Sequence, residues 1–313
     1  MGFVISTVNM KGGVGKTTLT VNLATALAKN HGKRVLVVDL DSQISATLSL
    51  MSPHEFAKVR KERRTLSYLI DQVIRPHIRK KYTIHDIICP YICNVQGMDL
   101  LPGDIEIYDE YLVSENLHEQ ASQNGTNDFS QVWNRFERIL VKKVLEPVIN
   151  DYDFIIMDCA PGYNLLTRSG IVASNFYLLP ARPEPLSLVG IQLLERRIAK
   201  LRESHQAEAP LDLKLLGIVF ILSNGGFFGR YYKQVMQRVS QDFSPTQLFE
   251  TRVPMDVNVA KAVDTFMPAV ISTPTSPGAK AFAKLTEEML EKVSNSGVLY
   301  KEESAKLNLA NLE

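Results

Sequence analysis

Lys11-Gly12-Gly13-Val14-Gly15-Lys16-Thr17-Thr18 is the stretch of this 313-residue chain whose residue types and spacing could do chemistry. Glycines let backbone N–H groups approach an anion with no Cβ in the way. Successive N–H groups at a helix start, with the positive end of the helix dipole, cradle phosphate oxygens. Lys16 is placed to reach β- and γ-phosphates, and the Thr17 hydroxyl to ligate Mg²⁺. The usual template, GxxxxGK[ST], asks for glycine five positions before Gly15, where this chain has Met10. A second lysine, Lys11, stands at the loop entrance instead.

Three carboxylates complete the set. Asp158 ends the apolar run Phe154–Met157, and Asp39 and Asp41 end the run Val35–Val38, with Leu40 between them. Strand ends at the carboxyl edge of an open α/β sheet are where ligands bind. Alternate strand residues share a face, so both Asp39 and Asp41 are expected to look toward the γ-phosphate region. The other reading is that one of them caps a helix starting near Ser42.

The elements that must position these residues are legible around them. Phe3–Val8 is a short apolar run, Thr17–Lys29 has helical spacing and ends at Gly32, and Arg34–Val38 is a second apolar run. Phe154–Met157, Phe176–Leu179 and Leu215–Leu222 follow in the same style. Solidly apolar strands are buried on both faces, as in parallel sheets. Helical stretches lie between and after them at Ser187–Ser204, Arg230–Gln241, Val257–Phe266 and Ser276–Val293. The fold class expected is α/β, a mostly parallel twisted sheet with helices on both sides. Residues 1–293 read as one domain carrying a helical and irregular insertion at about 52–149, and 294–313 as a tail.

Composition limits the alternatives. Hydrophobic residues are 45% and charged residues 22% of the chain, enough for a real core. Three cysteines exclude a disulfide scaffold. No apolar run approaches the length of a spanning helix, and no signal peptide is visible, so a cytoplasmic protein is expected. Cys89-x₃-Cys93 with His85 upstream has a spacing that could suit zinc, but Pro90 breaks the helix it would need, so buried cysteines are the expectation.

The loop KGGVGKTT resembles the deviant Walker A motif of the ParA/MinD/Soj family of partition and positioning ATPases. Val37-Val-Asp-Leu-Asp-Ser-Gln43, with Ser42 where proline is usual, and Tyr152-Asp-Phe-Ile-Ile-Met-Asp-Cys-Ala-Pro161, with Ala160 where proline is commoner, resemble its next two motifs. Leu101-Pro102-Gly103, Leu179-Pro180 with Glu184, Val253-Pro254 and the helix from Ser276 resemble further landmarks. The resemblance implies a P-loop NTPase fold that binds ATP and Mg²⁺ through Lys11, Gly12, Gly13, Val14, Gly15, Lys16, Thr17 and Thr18. It implies that Asp158 holds Mg²⁺, through water, together with Thr17. Asp41 would orient the attacking water, Asp39 would support the metal shell, and Lys11 would cross a homodimer interface to the partner's nucleotide. Asn224 and Pro254–Asp256 are placed by position to line the adenine pocket.

Net charge is +1, yet the charge is segregated. His54–Tyr82 has nine basic against three acidic residues, Thr83–Gln131 has nine acidic and no Lys or Arg, and Glu195–Arg238 has eight basic against four acidic. Basic helices can contact DNA phosphates without reading sequence. By resemblance this points to Arg230, Lys233 and Arg238, then to Arg196, Arg197, Lys200 and Arg202. The acidic stretch is expected to face a basic segment of a partner. The function implied is an ATPase that dimerises on ATP, binds non-specific DNA on the nucleoid and positions a cargo: a plasmid, a chromosome origin or a microcompartment such as a carboxysome. A small adaptor of ParB or microcompartment type would stimulate hydrolysis. A MinD-like membrane-surface ATPase is the alternative, disfavoured because Leu285–Glu313 holds six acids against three lysines. A ligase of the cobyrinic-acid or dethiobiotin type is a third.

Overall fold

The computed structural model describes residues 2–76, 81–123, 128–223, 237, 239 and 242–297. Its strands are β1 (Phe3–Thr7), β2 (Val35–Asp39), β3 (Met98–Leu101), β4 (Phe154–Asp158), β5 (Phe176–Ala181), β6 (Lys214–Ser223) and β7 (Val253–Pro254). They form one sheet in the order β3-β2-β4-β1-β5-β6-β7, and every pairing is parallel. Parallel neighbours need crossovers, and those linking β1 through β6 are helical. The helices are α1 (Lys16–His31), α2 (Ser45–Leu50), α3 (Pro53–Lys61), α4 (Leu66–Ile74), α5 (Ile84–Ile87), α6 (Glu110–Gln123), α7 (Phe129–Leu145), α8 (Leu165–Val172), α9 (Pro185–His205), α10 (Val257–Ala262), α11 (Ala269–Ser272) and α12 (Pro277–Asn295).

Alternation along the strands divides the core in two. Val4, Leu36, Val38, Ile155, Met157 and Leu179 face a layer that includes α4, α7, α8 and α9. Phe3, Ile5, Val35, Val37, Ile156 and Leu178 face α1 and α12. Burial on both faces is why these strands read as unbroken apolar runs. Helix α12 spends its apolar stripe here: Phe282, Leu285, Met289 and Val293 are buried in the core shared with α1. Among the described residues no helix is long and apolar enough to cross a membrane.

The stretch 52–149, expected as helical and irregular decoration, contributes to the sheet itself. Met98–Leu101 is strand β3, paired to β2 from Val35↔Met98 to Val38↔Leu101. Helix α7 also belongs to the core, with Phe136, Leu140, Val141 and Val144 buried beneath the sheet.

Candidate functional site

The glycine-rich loop leaves the carboxyl end of β1 and enters α1. Gly15 has φ +92°, and a Cβ there would stand 3.1 Å from Ile221 Cγ2, so both backbone and space require glycine. At Gly12 and Gly13 a Cβ would meet nothing within 4 Å, which leaves the loop's cradle open. Asn9 pins the entrance: its amide donates to the Pro180 carbonyl at 2.8 Å, and its Oδ1 accepts the Lys11 N–H at 2.9 Å.

The two lysines have different situations. Lys16 is 7% exposed and its Nζ donates to the Lys11 carbonyl at 3.2 Å. Burial lowers its ammonium from the ordinary lysine value, against the opposing pull of Asp158. Lys11 is at the rim, with its side chain 40% exposed, and its Nζ contacts Glu184 Oε2 at 2.9 Å. That contact holds the Glu184 carboxyl below its usual range.

Asp39, Asp158 and Thr7 stand side by side at the ends of adjacent strands β2, β4 and β1. Asp158 accepts the Thr17 hydroxyl at 2.7 Å and the Thr20 hydroxyl at 3.3 Å. Burial, then the neighbouring Asp39, push its carboxyl up, to about 8. A carboxylate that buried asks for a cation, and a hydroxyl touching it is the second oxygen a hard divalent metal would use. These residues therefore fit Mg²⁺.

Asp39 and Asp41 differ in their partners. Asp39 is fully buried and its carboxylate is occupied: it accepts the Thr47 N–H at 2.8 Å, the Thr47 hydroxyl at 2.7 Å and the Asp41 N–H at 3.1 Å. It ties β2 to α2 and stands beside Asp158 at the strand ends. Strand β2 ends at Asp39, so Asp41 lies in the following loop, where its Oδ1 accepts the Gln43 N–H at 2.9 Å. Asp41 is close enough to Lys16 and Asp158 to act on the charge of both.

The other expected residues are dispersed. Arg196, Arg197 and Lys200 are exposed on α9, whereas Arg202 donates to the Leu213 carbonyl at 2.7 Å. Arg230, Lys233, Arg238 and Asn224 lie outside the described residues. Asp256, expected near adenine, caps α10 through the Asn258 N–H and accepts the Gly278 N–H, both at 2.8 Å. Cys93 Sγ contacts the Leu50 and Phe266 carbonyls, Cys89 is in a bridge with Leu100, and no metal-holding cluster of His, Cys, Asp and Glu occurs among the described residues. The acidic stretch meets the chain's own basic helix α3: Arg60 reaches Asp104 at 3.1 Å and Glu106 at 3.7 Å.

Comparison with known proteins bears on the family and the fold. The family model described as an AAA domain matches residues 2–211. The chain belongs to that family, and within it to the ParA/MinD ATPases. Sporulation initiation inhibitor protein Soj of Bacillus subtilis is 28% identical over 289 residues, covering 92% of this chain and 98% of Soj. The crystal structure of the cell division ATPase MinD of Pyrococcus furiosus is 26% identical with a TM-score of 0.63, covering 94% of this chain and 100% of that one. Cobyrinic acid a,c-diamide synthase of Mycobacterium smegmatis, with bound ATP analogue and magnesium, has a TM-score of 0.68 at 22% identity, covering 95% of this chain and 97% of that one, a likeness of fold. In this ParA/MinD-family chain, Thr47 is a partner that sequence motifs did not show, and Glu184 was visible as a landmark but not as the partner of Lys11. Glu184 is 173 residues from Lys11, and the Asp39–Thr47 spacing of eight matches no strand or helix repeat.

Proposed function

We propose that this protein is a ParA-type ATPase that binds ATP and Mg²⁺, pairs with a second copy across two ATP molecules, binds DNA without sequence preference and positions a cargo. The observation that carries this reading is the division between the two lysines. Lys16 is buried at the floor of the loop, where it serves the chain's own nucleotide. Lys11 is half-exposed at the rim with a solvent-exposed partner, so it can leave Glu184 and reach the phosphates of a nucleotide held by another copy.

ATP supplies the phosphoryl group and Mg²⁺ the charge that offsets it. The loop N–H groups and Lys16 bind and orient the phosphates. Thr17 and Asp158 would hold the metal, Asp158 through water, and Asp41 would orient the attacking water. Lys11 from the second copy adds a cation where charge develops, as an arginine finger does. Asp39 supports the metal shell from beside Asp158 and keeps the Asp41 loop in place by accepting the Asp41 N–H.

The exposed Arg196, Arg197 and Lys200 of α9 contact DNA phosphates, Arg230, Lys233 and Arg238 outside the described residues are further DNA-binding candidates, and a dimer doubles each contact. The protein works in the cytoplasm, associated with the nucleoid. A small adaptor of ParB or microcompartment type stimulates hydrolysis. The test is retention of the purified protein on random-sequence DNA with ATP, ADP or no nucleotide. Retention with ATP alone, lost in high salt, supports the reading. Equal retention in all three conditions, or none, refutes it.

A further inference from the structure

Tyr163 lies five residues beyond Asp158, in the loop that leaves β4 at the phosphate site. Gly162 just before it has φ +103°, a conformation that glycine alone takes without strain. The Tyr163 hydroxyl donates to the Arg197 carbonyl at 2.9 Å. That carbonyl is inside α9, so the phenol occupies the oxygen's second lone pair and fixes the loop to the body of the helix. Two guanidinium groups also approach the ring, Arg168 at 5.7 Å and Arg197 at 5.8 Å from its centroid. Burial beside Glu137 pushes the phenol up to about 12, so it stays a hydrogen-bond donor at any physiological pH.

A second grip on α9 shares Arg168. Glu137 of α7 is 2% exposed, and its two oxygens are divided: Oε2 is 2.7 Å from Arg168 Nε and Oε1 is 3.0 Å from His205 Nε2. His205, the last residue of α9, is fully buried. Arg138 of α7 donates to the His205 carbonyl at 2.9 Å. The far end of α9 is therefore anchored to α7 by buried polar contacts, which are costly to break. Its middle is held by a tyrosine on a glycine-hinged loop leading directly to the metal-site carboxylate.

We propose that Tyr163 is a positioning residue that couples the occupancy of the phosphate site to α9. A nucleotide with Mg²⁺ at Thr17 and Asp158 resets the 159–163 loop, and the Tyr163–Arg197 contact passes that change to the helix that exposes Arg196, Arg197 and Lys200. The significance for DNA rests on the function proposed above; the coupling itself does not.

The test is amide hydrogen exchange over residues 185–205 in the full chain, with Mg-ATP and with Mg-ADP. The wild type is expected to exchange differently with the two nucleotides. Tyr163→Phe keeps the ring and removes the hydroxyl, and the ATP–ADP difference is expected to shrink about fivefold, the factor one neutral hydrogen bond supports. Arg168→Lys keeps the charge beside Glu137, loses the guanidinium that approaches the Tyr163 ring, and is expected to shrink the difference as well. ATP-dependent light scattering should be unchanged in both variants. A wild-type helix α9 indifferent to nucleotide, or a Tyr163→Phe difference equal to wild type, overturns the coupling. A wild type that shows the exchange difference and fails to bind DNA leaves the coupling standing and removes the DNA reading.

Discussion

Replacing Lys11 tests the division of labour between the lysines. In the single chain Lys11 Nζ is 2.9 Å from Glu184 Oε2, with the side chains 40% and 36% exposed. Exposed pairs of this kind contribute about 0.2–1 kcal/mol once solvent screening and side-chain entropy are counted. Releasing Lys11 from Glu184 therefore costs at most about a factor of five. A hydrogen bond from an ammonium to a phosphate oxygen in an interface contributes about 1.5–3 kcal/mol. A twofold dimer makes it twice, roughly 3–6 kcal/mol, or about two to four powers of ten in dissociation constant. Lys11→Gln should thus retain nucleotide and remain monomeric in light scattering with Mg-ATP at concentrations where the wild type dimerises. Glu184→Gln should dimerise within about fivefold of wild type. The numbers leave a wide gap between the two variants. Unchanged ATP-dependent dimerisation of Lys11→Gln, with its melting temperature unaltered, would falsify the crossing role and leave Lys11 as a surface lysine paired with Glu184.

Three further outcomes follow from the same geometry. Asp41→Ala should retain ATP-dependent dimers and lower single-turnover hydrolysis by about 10²–10⁴, the range for a lost water-orienting base; normal hydrolysis would remove Asp41 from the chemistry. Burial and Asp39 raise the Asp158 carboxyl above its unfolded value, so the metal-free native state binds the proton more tightly and loses stability as pH rises from about 4 to about 8. Asp158→Asn should flatten that decline in melting temperature, raise the melting point near pH 8 and abolish Mg-dependent nucleotide binding in calorimetry; an unchanged slope would count against the assignment. Replacing Arg196, Arg197 and Lys200 together by Ala should leave ATP-dependent dimers intact and make the salt dependence of DNA binding shallower by roughly 0.9 per lost phosphate contact; an unchanged slope would place the DNA surface elsewhere.

The parts legible in the sequence were those with local signals. A glycine-rich loop between an apolar run and a helical period marked β1, the loop and α1, and apolar runs marked β2, β4, β5 and β6. Strand β3 gave no such signal because Asp99 interrupts its four residues. That carboxylate is tolerated because the Tyr152 hydroxyl donates to it at 2.8 Å and the Tyr91 N–H at 3.1 Å, contacts 53 and 8 residues away. Asp39 was legible as a carboxylate at a strand end but not as one already occupied, since Thr47 reaches it only after α2 folds back. The exchange between Glu137, His205 and Arg168 joins three helices and had no sequence signature at all. Contacts between distant segments decide which of several plausible carboxylates is available to a ligand, and spacing along a strand does not record them.

The near-zero net charge has a structural explanation that bears on where DNA can bind. Two of the charged blocks cancel in place. Arg60 of α3 contacts Asp104, whose side chain is only 9% exposed and which also accepts the Thr65 hydroxyl at 2.7 Å. Arg64 donates to the Asp86 carbonyl at 2.7 Å. Turning these arginines to a phosphate backbone would leave Asp104 nearly buried without its cation, a loss that far exceeds one exposed phosphate contact. Arg196, Arg197 and Lys200 have no such obligation: they are exposed and form no ion pair among the described residues. Among the described residues the Arg197 guanidinium rests against the Tyr163 ring, a contact of about 0.5–1 kcal/mol at an exposed site, which a single phosphate can replace. Burial of the counter-charge, more than the number of basic residues, thus favours α9 over the more basic block His54–Tyr82 as the surface free to meet the DNA of the proposed function.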